Sequence, residues 1–98
     1  QNEDPAAKQK LVNEQKFIKR KIKELEDEKF QYENNLGFFK YTKDDNPLKK
    51  EVMDKIAAVG NQILDWKEKG KTINLALREA NKPAPQEKEK PAEEENPT

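Results

Sequence analysis

The sequence predicts an all-α fold, an antiparallel coiled-coil helical hairpin with disordered termini. Three observations predict it. Apolar residues recur at alternating spacings of three and four in two long blocks, a segment bearing Gly37 and Asn46-Pro47 separates the blocks, and proline and charge crowd the C-terminal end.

Residues 1–5, QNEDP, hold no large apolar side chain and read as a disordered leader. The hairpin is expected over 6–82, with its first helix at about 6–36. There Leu11, Ile18, Leu25 and Tyr32 lie seven apart and Gln15, Ile22, Lys29 and Leu36 interleave with them, giving one seam with two polar interruptions. Asn34 and Asn35 weaken this helix, and Gly37 is expected to end it in a left-handed conformation. A turn is expected over 37–46, closed by Asn46 as N-cap and Pro47 at the first position of the next helix. The second helix, about 47–81, carries Val52, Val59, Trp66 and Ile73 in one series and Ile56, Ile63, Gly70 and Leu77 in the other. Residues 83–98, PAPQEKEKPAEEENPT, combine four prolines with five Glu and two Lys and are expected to be a disordered acidic tail.

A connection of about ten residues joins two helices best when they run antiparallel. Heptad pairing then restricts the register to steps of seven. With paired residue numbers summing to 88, Leu25 meets Ile63, Ile22 meets Trp66, and Ile18 lies over the gap left by Gly70. A sum of 81 would push Leu36 beyond the start of the second helix, so 88 is the expected register. Five of the seven aromatic residues fall between Phe30 and Tyr41. Of these, Phe38, Phe39 and Tyr41 are expected to fold over the end of the seam near Leu36, Leu48 and Val52, forming a hairpin tip with Gly37.

Composition bounds the chemistry. With 98 residues and an apolar fraction of 32%, a large core is excluded, while 20 basic residues balancing 20 acidic ones favour solvated helices over a swollen coil. The absence of Cys and His removes disulfides, thiolate chemistry, His-based catalysis and zinc sites together. Glu24, Glu26, Asp27 and Glu28 are close in sequence, but Lys21, Lys23 and Lys29 surround them and nothing supplies an apolar pocket to raise a carboxyl pKa. They read as a solvated, ion-paired helix face. The three glycines are isolated and make no phosphate-cradling loop. A non-enzyme is therefore expected, with no catalytic, cofactor-binding or metal-ligating residue and no small-molecule substrate. No apolar run approaches the roughly 18 residues of a membrane span. A chain opening at Gln1 rather than Met is expected to be a fragment or a processed product, so a targeting segment is not excluded; the lack of Cys fits a cytoplasm and does not exclude a periplasm.

Two surface features bear on partners. Residues 8–23 hold seven Lys or Arg against one Glu, and residues 67–82 hold five against two, so the hairpin brings a charge of about +9 to its open end. Lys16, Lys19, Arg20, Lys23, Lys67 and Lys71 are the candidates for contact with RNA phosphates or another anionic partner. Helix solubility, with cations favoured near the C-terminal end of the second helix, explains the same residues. The second feature lies off the seam. Met53, Ala57, Gly60 and Leu64 recur at i, i+4, i+7 and i+11, and Phe17 and Phe30 are likewise apolar outside the seam of the first helix. A helix from the rest of a parent protein or from another copy of the chain could dock there; scattered surface apolar residues are the alternative.

EQKFIKRKIKEL (14–25), YENNLGFF (32–39) and NPLKKEV (46–52) together resemble the C-terminal helical hairpin of bacterial coiled-coil proteins grouped as domain of unknown function 349. The resemblance covers roughly residues 14–78 and rests chiefly on ENNLGFF after a charged helix. The Trp-containing signatures of that family's repeated helical modules are missing, so the chain would correspond to an end piece. The resemblance implies helices, a cytoplasmic setting and no established enzyme activity. The functional expectation is a structural, protein-interacting hairpin, with an RNA- or ribosome-associated module using the basic open end as the alternative; salt dependence separates them.

Overall fold

The computed structural model describes residues 4–82. Two long helices, α1 (Pro5–Leu36) and α2 (Pro47–Ala80), pack against each other along their length, joined by a short 3-10 turn at Gly37–Phe39 and a connection to Asn46. The fold is an all-α helical hairpin. The leader expected over 1–5 overlaps the described residues only at its end: Asp4 is the N-cap of α1, its Oδ1 accepting the Ala6 N–H at 3.0 Å, and Pro5 is the first helical residue. A carboxylate before a proline fits a helix start better than a disordered leader, because the proline lacks the N–H that would otherwise go unpaired. Residues 1–3 and the tail 83–98 lie outside the described residues.

Helix α2 starts by the same device. Asn46 Oδ1 accepts the N–H groups of Leu48 and Lys49 at 2.9 and 3.1 Å, and Pro47 follows it. All sixteen positions assigned to the two heptad series are buried or half-buried. Ile18, Leu25, Val59, Ile63 and Leu77 are the most buried, at 4–9% exposure. Leu25, Val59 and Ile63 form one cluster, against which Ile22, Tyr32 and Trp66 pack. Burying a side chain of this size contributes on the order of 1.5–3 kcal/mol. The hairpin therefore depends on a short list of contacts.

The register is fixed by two cross-helix contacts. A Cβ added to Gly70 would meet Ile18 Cγ2 at 3.5 Å, and Gln15 Nε2 donates to Asn74 Oδ1 at 2.7 Å. The first pair sums to 88 and the second to 89, as the 88 register requires. Gln15, one of the two polar interruptions of the seam, thus finds a polar partner on the facing helix. Lys29, the other, is half-buried and lies 3.8 Å from Glu33 on its own helix.

The tip differs from the sequence expectation in two ways. Gly37 is right-handed, with φ −59 and ψ −27, and its N–H donates to the carbonyls of Asn34 and Asn35. The chain continues the helical hand into a tighter turn, so the freedom of glycine is not used there. Phe38 and Tyr41 do not fold over the seam but stand 85% and 91% exposed, and only Phe39 is half-buried. At three residues per turn, neighbouring side chains point about 120° apart, so Phe38 and Phe39 cannot both face inward.

Candidate helix-docking groove

The sequence-predicted apolar residues divide between two grooves. Phe30 of α1 and Ala57, Gly60 and Leu64 of α2 line one open groove of ≈ 680 Å³, with Glu26 and Lys67 among its charged walls. Helical spacing explains the convergence. Ala57, Gly60 and Leu64 succeed one another at steps of three and four, so they form a stripe beside the seam, and Phe30 occupies the corresponding place on α1. Leu64 and Phe30 are 64% and 62% exposed, and nothing lies within 4 Å of a Cβ placed on Gly60. The groove thus combines two projecting apolar side chains with a hollow. Met53 extends the α2 stripe toward the tip at 39% exposure.

Phe17 is not part of this groove. It lines another, with Trp66, Lys69 and Ile73, and its ring meets that of Trp66 edge-on at 5.7 Å between centroids. Phe17 and Phe30 are thirteen residues apart, or about 140° around a helix, which puts them on different sides of the seam. Arg20 lies over the Phe17 ring at 5.4 Å and Lys69 over the Trp66 ring at 4.1 Å, so this side is an aromatic pair roofed by cations. Lys69 was not singled out in the sequence. Its position three residues after Trp66 is the signal that could have found it.

The six basic candidates also divide. Lys19, Lys67 and Lys71 line one groove with Gln15 and Asn74, whereas Lys16, Arg20 and Lys23 are exposed and do not line it. Three of the six have acidic neighbours: Lys23 lies 3.5 Å from Asp27, Lys67 3.9 Å from Glu26 across the helices, and Lys71 3.9 Å from Glu68. These exposed pairs are worth little individually. They do lower the positive potential that a polyanion would meet.

At the tip, Lys49 rather than an aromatic side chain ties the turn to α2. Its Nζ donates to the Thr42 carbonyl at 2.7 Å and pairs with Asp44 at 2.7 Å, with the Lys49 side chain only 13% exposed. The hydrogen bond and charge of Lys49 hold the Asp44 carboxyl below the ordinary aspartate pKa. On α1, Tyr32 donates to Glu28 at 2.9 Å, and this bond raises the Tyr32 phenol pKa above its ordinary value. Neither group lines one of the grooves described above. Among the described residues no cluster of three or more His, Cys, Asp or Glu could hold a metal ion, and no helix is long and apolar enough to cross a membrane. Comparison of the chain with protein-family models, curated proteins and solved structures finds no match, so the groove's own geometry carries the functional argument.

Proposed function

We propose that this hairpin is a non-enzymatic protein-interaction module that receives a helix in the groove lined by Phe30, Ala57, Gly60 and Leu64. The observation that carries the reading is the exposure of Phe30 and Leu64 on a hairpin whose own seam is already filled by other residues. A small centre flanked by two larger apolar groups suits the close approach of a helical backbone, as in helix-in-groove recognition. A photo-crosslinking side chain placed at Leu64 should capture a helical protein segment, and one placed at Lys69, in the other groove, should not. Equal capture from both positions sinks the reading.

A second reading, contact with RNA through the open end, is favoured by the single groove that Lys19, Lys67 and Lys71 share. Phosphate contacts made by three cations would give a steep loss of affinity with added salt, whereas docking in the apolar groove would persist. Filter binding of RNA across a salt series, with Lys19→Glu, Lys67→Glu and Lys71→Glu combined, separates the two readings.

A further inference from the structure

Charge is distributed unevenly along the hairpin. Residues 24–66, the tip half, hold six Lys against ten Asp or Glu, while stretches 8–23 and 67–82 at the open end together hold twelve Lys or Arg against three acids. Counting Asp4 at the start of α1 as well, the two halves of the described hairpin carry about −4 and +8. Such a surface is complementary to itself when turned end for end. Laid parallel, it would set one basic end on another.

The apolar groove lies near the junction of these halves, where Glu26 and Lys67 both reach its wall. Its shape is self-complementary in the same sense. A second hairpin turned end for end over Gly60, where a Cβ would meet open space, brings Leu64 of one copy level with Ile56 of the other, within one residue of the small Ala57. At the level of Gly60 the 88 register places the middle of α1 at about residue 28, so the same operation sets Lys23 over Glu33 of the second copy. Leu64 thus lies beside the small stretch from Ala57 to Gly60 of the other copy, and a base falls on an acid.

We infer that the occupant of the groove is a second copy of this chain, packed antiparallel about a two-fold axis near Gly60; this rests on the docking reading of the same groove. From Gly60 to Pro47 is thirteen residues, or about 20 Å, so the overlap is about 40 Å long and two helices, roughly 20 Å, wide, a footprint of about 800 Å² per copy, or about 1,600 Å² in total. That is the usual size of a specific interface. The pair is a reversible dimer, its affinity set by the groove contacts and the end-to-end charge rather than by area alone.

Sedimentation equilibrium of the full 98-residue chain tests it, with loading from about 5 to 500 µM. A concentration-dependent dimer is expected, several-fold weaker at about 500 mM than at about 50 mM salt because the end-to-end attraction is screened. Leu64→Glu and Gly60→Leu each raise the dimer dissociation constant at least about tenfold with helix content by circular dichroism unchanged. Lys23→Glu and Glu33→Lys each weaken the dimer, and the two together restore it. Because the chain has no Cys, orientation is read by mixing Ala57→Cys with Leu64→Cys protein and oxidising mildly; the mixed disulfide should exceed either self-bridged product. A monomer throughout the range overturns the inference. So does a dimer indifferent to both groove substitutions, or one that bridges Phe30→Cys to Gly60→Cys in preference, which is the parallel arrangement. A monomeric chain that still crosslinks a different helical protein through position 64 overturns self-pairing alone and leaves the docking reading standing.

Discussion

Replacing Gly70 with Ala should stabilise the hairpin. Gly70 sits half-buried in the interior of α2, where a Cβ would lie 3.5 Å from Ile18 Cγ2, an ordinary van der Waals distance. Glycine in a helix interior costs about 1 kcal/mol relative to alanine, and the added methyl also covers part of Ile18, so the expected gain is about 1 kcal/mol. For a domain of this size that is a rise of roughly 4–8 °C in melting temperature. Gly70→Leu must instead displace Ile18 and should cost about 1–3 kcal/mol by overpacking. Gly60→Ala supplies the propensity control, since its new methyl meets nothing within 4 Å. Thermal melts by circular dichroism should be run at a concentration where sedimentation shows monomer, so that self-association adds nothing to the apparent stability. A fall in melting temperature for Gly70→Ala, with a rise for Gly60→Ala, would mean that the helices approach more closely at Ile18 than described and would refute the packing argument.

Leu25→Cys with Ile63→Cys should bridge on mild oxidation within one chain, because both residues belong to one buried cluster, and the bridge should add roughly 3–4 kcal/mol by restricting the unfolded chain; preferential bridging of Leu25→Cys to Ile56→Cys would move the register by a heptad. Asp44, whose pKa Lys49 lowers, contributes stability that is fully present above the ordinary aspartate pKa near 4 and is lost as pH falls through the lowered value. Its carboxyl resonance should titrate below that of a free aspartate and return to the ordinary value in Lys49→Met; an unchanged midpoint removes Lys49 as the tie. Phe38→Ala and Tyr41→Ala should leave the melting temperature nearly unchanged, while Phe39→Ala should lower stability by about 1 kcal/mol or more. Gly37→Ala should be neutral or slightly stabilising, since the position is right-handed with open space at Cβ; a loss above about 1 kcal/mol would restore the left-handed turn.

The seam was legible because a heptad is a geometric statement: residues three and four apart share a face whatever surrounds them. That is why even Gln15, Lys29 and Gly70, poor core residues by type, were assigned to seam positions that the structure shows buried or half-buried. The caps at Asn46 and Pro47 were legible for a similar reason, since their chemistry acts within three residues. The tip was not. Glycine permits a left-handed conformation without requiring one, and whether Gly37 takes it depends on where the next ten residues go. Those are held by Lys49 reaching back to Thr42 and Asp44, a contact that no periodicity encodes. The stripe of Ala57, Gly60 and Leu64 was legible on α2 alone; that Phe17 lines a different groove from Phe30 was not, because sequence apolarity does not say on which side of a seam a residue falls.

The nested register also dictates the order in which the hairpin can form and open. Level pairs lie progressively further apart along the chain, from Leu36 and Val52 beside the tip to Leu11 and Leu77 at the open end. Closing a connection of about ten residues takes on the order of 10–100 ns, and once it is closed each further pair forms without a new long loop. Assembly can therefore run from the tip outward like a zipper, with little of the delay that distant contacts impose on sheet proteins. Opening runs the other way. The Gln15–Asn74 hydrogen bond, near the open end, is among the first cross-helix contacts exposed by fraying, whereas Leu25 and Ile63 separate late. Amide hydrogen exchange should slow steadily from the open end toward the Leu25–Ile63 level, so a partner binding beside Gly60 would meet a part of the hairpin that opens late, and one binding the basic end would meet the part that opens most often.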